Sequence, residues 1–119
     1  MLRVFISKSE KYMSQSHANL FKAVCEFWGI TNFYYFKHIE NVMLTHIPGV
    51  YIFINNFTIP VYVGKSKDLK KRVIKSHSAY DEESIIIIDT LLDYDKAGIL
   101  ETALIGGFQP VKNKKRRIV

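Results

Sequence analysis

The feature that most constrains this chain is a pair of short apolar runs, "GVYIFI" at 49–54 and "IPVYVG" at 59–64, separated by the more polar "NNFT". Val50, Ile52 and Ile54 alternate with Tyr51 and Phe53, which is the two-residue period of a strand. Two such runs around a four-residue loop, Asn55 to Thr58, predict an antiparallel hairpin. In that register Ile54 faces Ile59 and Tyr51 lies opposite Tyr62, so both phenols leave one face of the sheet. A slip of one residue would send one of them to the other side. Pro60 has no N–H for a ladder hydrogen bond, so it belongs at the start of its strand or on an outward edge.

Beyond Gly64 the period changes. Ser66 reads as a helix N-cap, and Leu69 and Val73 are a core-facing pair on a helix from Lys67 to about His77. That helix is basic. Residues Lys65 to Lys75 carry a net charge of +5, and Lys112 to Arg117 supply five more cations. With the whole chain at +6, the remainder is at −4. Two basic segments on an otherwise acidic body suit a polyanion such as nucleic acid, because neutralised phosphates release counterions. The plainer alternative is a solvated charged face.

At 119 residues, 48% of them hydrophobic, the chain has material for one core. Leu20, Phe21, Val24, Cys25, Phe27 and Trp28 recur at helical spacing and stop before Gly29. From Ile30 to His46 the pattern is ambiguous: "NFYYF" suits a strand and "IENVML" a short helix. The aromatics between Phe27 and Phe36 could stack on bases, but packing in the core is the first reading. "SIIIID", Ser84 to Asp89, is a short buried strand. A helix from about Asp95 to Ile105 follows, stopped by Gly106 and Gly107. Ile99, Leu100, Ala103 and Leu104 form its apolar stripe, and Glu101 lies at the margin, within reach of a cleft. The last stretch, "FQPVKNKKRRIV", reads as non-helical followed by a basic tail.

Cys25, the only cysteine, excludes an internal disulfide and a cysteine-based zinc cluster, and its helical apolar setting makes it a core residue. No apolar stretch approaches a bilayer span and the N-terminus lacks a signal-peptide pattern. The expectation is a soluble protein, cytoplasmic or nucleoid-associated, with no membrane partner.

Taken in order, "GVY" at Gly49 to Tyr51, "YVG" at Tyr62 to Gly64, Arg72 in the following helix, Glu101 in a later one, and "QPVKN" with Pro110 and Asn113 resemble the GIY-YIG endonuclease family. Valine replaces isoleucine in both triplets, which keeps β-branching and apolarity. The likeness spans roughly Ile47 to Asn113 and is greatest to nuclease domains of the bacterial excision-repair kind. It implies an α/β (α+β) fold, a small three-stranded antiparallel sheet flanked by helices. Residues 46–119 would be the nuclease domain with its basic tail, and residues 1–45 a mainly helical extension packed on it.

The resemblance also implies chemistry: hydrolysis of a DNA phosphodiester with Mg²⁺ or Mn²⁺. Glu101 would be the metal ligand, since Mg²⁺ often takes one or two protein carboxylates and completes its octahedron with water and phosphate oxygens. Tyr51 would position or deprotonate the attacking water with Tyr62 hydrogen-bonding beside it. A phenol near pKa 10 needs nearby cations for that role, and Lys65 and Arg72 are the candidates. Arg72 is otherwise the clamp on phosphoryl oxygens, its plainer reading an ion pair with Asp68. His77 is a secondary catalytic candidate. Gly64 would let the strand-to-helix turn approach the phosphate, and Gly49 and Asn113 would shape the backbone at the site. Lys65, Lys67, Lys70, Lys71, Lys75, Lys114, Lys115, Arg116 and Arg117 are the DNA-binding cations.

Two rival readings remain at this level: a module of the same fold that binds nucleic acid without cutting it, and a basic domain that binds proteins. A repair, a restriction and a mobile-element role are all open, with a homodimer or a partner protein as a source of specificity.

Overall fold

The computed structural model describes residues 13–36, 46–55, 58–80, 84–91 and 93–113, and the side chains of 76–80 fall outside that description. Among these residues three helices and four strands follow in the order α1 (Gln15–Phe27), β1 (Phe33–Phe36), β2 (Gly49–Ile54), β3 (Pro60–Ser66), α2 (Leu69–Tyr80), β4 (Ser84–Asp89) and α3 (Tyr94–Phe108). The strands form one antiparallel sheet in the order β1-β4-β2-β3. The α+β class agrees with the sequence reading, but the sheet has four strands where three were expected. The extra one is "FYYF", which pairs Phe33 with Ile88 and Phe36 with Ile85.

Helices cover both faces of the sheet, which is why β2 and β4 are apolar almost without interruption. Val50, Ile52, Ile54, Val63, Ile86 and Ile88 pack under α1 and α3 with Phe21, Cys25, Leu100 and Leu104. On the other face Tyr51, Phe53, Ile85 and Ile87 pack with Leu69 and Val73 of α2. Fully burying a side chain of this size contributes roughly 1.5–3 kcal/mol, so the isoleucines of β4 serve two half-cores.

Two helix ends, the start of α2 and the end of α3, differ in detail from the sequence reading. α1 stops as expected, with Gly29 at φ 65° and Ile30 N–H bonded to Cys25 O at 2.8 Å. Phe27, however, is 79% exposed. It lies six residues beyond Phe21, about 240° round the helix and off the buried stripe of Ala18, Phe21 and Cys25. α2 is capped by Asp68, whose Oδ1 accepts the Lys71 N–H at 3.1 Å. Ser66 instead closes the preceding turn, its Oγ accepting the Asp68 N–H at 3.0 Å. α3 runs through Gly106 and Gly107 and ends at Gln109, in the left-handed region before Pro110. A methyl on Gly107 would stand 2.4 Å from Leu20 Cδ2, so this glycine permits close packing of α1 on α3 and does not end the helix. No helix among the described residues is long and apolar enough to cross a membrane.

Candidate active site

The hairpin forms, in a register two residues from the expected one. Tyr51 pairs with Gly64 and Phe53 with Tyr62, while Ile54 pairs with Pro60, so a bulge leaves Val61 as the extra residue. Asn55 N–H bonds to Ile59 O at 3.0 Å and closes the loop. Pro60 begins β3 beside the bulge, where a missing N–H is tolerated. A shift of two preserves the face of each side chain, so Tyr51 and Tyr62 still project from the same side as diagonal neighbours. Their ring centroids are 6.0 Å apart, and Phe53 completes a three-ring cluster at 5.4 Å from Tyr51 and 6.3 Å from Tyr62.

Because Tyr51 pairs with Gly64, its ring lies across the glycine. A methyl there would stand 2.4 Å from Tyr51 Cζ and 2.5 Å from the hydroxyl oxygen. Gly64 is therefore the seat of the phenol, within β3, and not a turn residue. The hydroxyl is carried from β2 to the edge strand, and Tyr51 is wholly buried there at 0% exposure while Tyr62 is half-buried. Gly49 plays a similar part: a methyl on it would stand 2.1 Å from Ile88 O and 2.7 Å from Leu69 Cδ1.

The outer side of β3 is sealed by the stretch before the basic tail. Lys112 N–H bonds to Val61 O at 2.9 Å. Asn113 Oδ1 accepts the Val63 N–H at 2.8 Å, and its Nδ2 donates to Val63 O at 2.7 Å. A side-chain amide thereby imitates a neighbouring strand and satisfies the edge groups flanking Tyr62 and Gly64.

On α2, Lys70, Lys71, Arg72 and Lys75 are exposed. Asp68 does not neutralise Arg72: its Oδ2 pairs with His46 Nδ1 at 2.7 Å, and among the described residues Arg72 forms no ion pair. The His46 hydrogen bond, with the Lys71 N–H behind it, holds the Asp68 carboxyl below the usual range. Lys65 departs from its expected role. It follows Gly64 and so faces the opposite side of the sheet from Tyr51. Its Nζ lies 5.1 Å from the centroid of the Tyr94 ring, with Lys67 Nζ at 5.3 Å from the same ring.

Glu101 is buried at 6% exposure on α3, deeper than the helix margin where the pattern put it. Its helix covers the face opposite Tyr51, with β3 as the edge strand between, and it follows Gly98 by one turn. Among the described residues no three His, Cys, Asp or Glu side chains group to hold a metal. A donor set of one buried carboxylate suits Mg²⁺, which retains waters and substrate oxygens. Cys25 is inert, its thiol pushed up to about 12 by burial. The His77 side chain and the tail cations Lys114, Lys115, Arg116 and Arg117 lie outside the described residues. Sequence reasoning missed His46, Trp28 and Tyr94 as neighbours of the charged groups; no motif marks them, and only folding brings them near.

The chain is similar to several known proteins. A model of the UvrC-like GIY-YIG domain family matches residues 47–114. The UvrABC system protein C of Methanosarcina barkeri is 35% identical over 85 residues, which is 63% of this chain and 16% of that protein. That of Petrotoga mobilis is 38% identical over 90 residues, with the same two shares of 63% and 16%. The chain thus spans only a small part of the length of these relatives. Among solved structures, the GIY-YIG N-terminal endonuclease domain of UvrC from Thermotoga maritima, bound to magnesium as its catalytic divalent cation, shares 30% identity. The match covers 58% of this chain and 85% of that one, with a TM-score of 0.47.

Proposed function

The chain belongs to the family of UvrC-like GIY-YIG domains, whose model matches more than half of it, and from that premise we propose that it is a metal-dependent DNA endonuclease hydrolysing phosphodiester bonds. The observation that carries the reading is the Tyr51 hydroxyl held over Gly64 beside the Tyr62 ring, on the strand pair that bears both family triplets. Tyr51 orients the attacking water and takes its proton, and Tyr62 hydrogen-bonds alongside. Arg72, exposed and without an ion pair among the described residues, meets the phosphoryl oxygens with its planar fork as negative charge accumulates. Glu101 would hold Mg²⁺ or Mn²⁺, which supplies charge neutralisation at the phosphoryl group. The basic face of α2 draws in the DNA backbone. The relatives carry the name of a UvrABC system, which favours a repair role and a partner protein that supplies the choice of DNA.

One observation favours a second reading. Tyr51 has no accessible surface, and a phenol walled off from water can stiffen a hairpin without doing chemistry. The domain would then bind DNA without cutting it. Incubation with Mg²⁺ or Mn²⁺ and a panel of duplex, nicked, flapped and branched DNAs separates the two. Wild type should cut, Tyr51→Phe and Glu101→Ala should bind but not cut, and Arg72→Lys should lose about 10²-fold in rate. If wild type and both inactive variants leave every substrate whole, the binding module stands in place of the nuclease.

A further inference from the structure

On the side of α3 away from its buried stripe lies a groove of about 600 Å³, bounded by Trp28 at the end of α1, by Lys65 of β3, and by Tyr94, Ile99 and Thr102 of α3. Its walls are of two kinds. Trp28 and Tyr94 are half-buried aromatics, and Phe27, 79% exposed, meets the Trp28 ring edge-on with centroids 5.0 Å apart. Lys65 and Lys67 both bring an ammonium over Tyr94, and among the described residues neither is in an ion pair. Two like charges gathered on one ring repel, and an anion between them relieves the repulsion. Gly98 makes room for this: a methyl there would stand 3.3 Å from Lys65 Nζ. Asp95, the one carboxylate on the lining among the described residues, sits in the first turn of α3, where the helix dipole favours it.

We propose that this groove is a stacking site for an unpaired nucleotide of a DNA strand, whose base lies against Trp28 and whose phosphate is held by Lys65 and Lys67. Every base has a π-face, so aromatic walls accept it with little sequence preference, and two lysines act as point charges on the backbone. A base inside a duplex is already stacked on its neighbours and cannot enter without leaving the helix. The site therefore selects for a single strand, flap or gap. Trp28 lies outside the region matched by the family, so the N-terminal segment contributes a wall of this groove. This inference rests on the nuclease reading for its choice of DNA, and deepens that reading by naming the state of the strand.

The test needs no cleavage. Trp28 is the only tryptophan, so its emission reports on this groove alone. Without divalent metal, wild-type protein is titrated with a thymidine oligonucleotide of about ten residues and with a duplex of equal length. The single strand should quench the emission in a salt-sensitive way, and the duplex should quench it far less. Lys65→Gln/Lys67→Gln, checked for folding by circular dichroism, should weaken the single-strand affinity about tenfold or more. Lys67→Gln alone, on an exposed residue, should show part of the same loss. Absence of quenching, equal quenching by duplex, or unchanged affinity in the lysine variants would overturn the proposal. A protein that cuts DNA with its tryptophan emission untouched keeps the nuclease reading and loses this site. One that is quenched but cuts nothing keeps the site and loses the nuclease reading.

Discussion

Replacing Gly64 by alanine isolates the contact on which the tyrosine site depends. The glycine has no positive φ, so alanine suits the backbone, and strand propensity alone would make the change favourable by about 0.5–1 kcal/mol. The contact reverses that sign. The new methyl would stand 2.4, 2.5 and 2.9 Å from three atoms of the Tyr51 ring and hydroxyl. That ring is fully buried and has Phe53 and Tyr62 beside it, so it has little room to move. Overpacking of this kind costs about 3 kcal/mol at the upper end of its usual range. Set against the propensity gain, the net loss is about 2 kcal/mol, or about 8 °C in Tm for a domain of this size. Urea denaturation followed by circular dichroism measures it, with an unchanged m-value as the sign of an intact transition. Tyr51→Leu removes the ring atoms that clash, and in that background Gly64→Ala should be neutral or stabilising, a coupling of about 2 kcal/mol. A loss below about 0.5 kcal/mol, or the same loss in both backgrounds, would refute the account of Gly64 as the seat of Tyr51.

Asn113→Ala removes both hydrogen bonds to Val63 and leaves a buried N–H and C=O without partners, so it should cost about 2–4 kcal/mol in the same assay. Asn113→Asp retains the acceptor but turns oxygen toward Val63 O, and should recover only part of that loss. Gly107→Ala meets the far end of the Leu20 side chain, which can rotate away, so it should cost about 1 kcal/mol, clearly less than Gly64→Ala. Asp68 has its folded pKa lowered beneath the ordinary 3.8 by His46 and the Lys71 N–H. Its contribution is therefore complete above pH 3.8 and lost as pH falls through the lower folded value. Stability measured from neutral pH into acid should fall more steeply for wild type than for Asp68→Asn below that point; parallel curves would contradict the linkage.

Much of the framework is legible in local pattern. Alternation in "GVYIFI" marks a strand, the step from Leu69 to Val73 marks the inward face of α2, and the isoleucines of 85–88 mark a strand buried on both faces. Even the common face of Tyr51 and Tyr62 survives a register error, because a shift of two residues leaves every side chain on its own side. These features depend on neighbours two to four residues away, which a sequence displays directly.

What only the tertiary structure decided are matters of who stands opposite whom. The bulge at Val61 sets Gly64 under Tyr51, and an amide fifty positions away completes the edge of β3. Gly107 resembles a helix stop until Leu20 is seen against it. Asp68 displaces Ser66 as the cap of α2 because Ser66 is still in the ladder of β3. Lys65 looks like a cation for Tyr51 until the pleat turns it toward Tyr94. Period and propensity determine which residues share a face; close approach between distant segments determines which of them touch, and that depends on the three-dimensional packing of the whole chain.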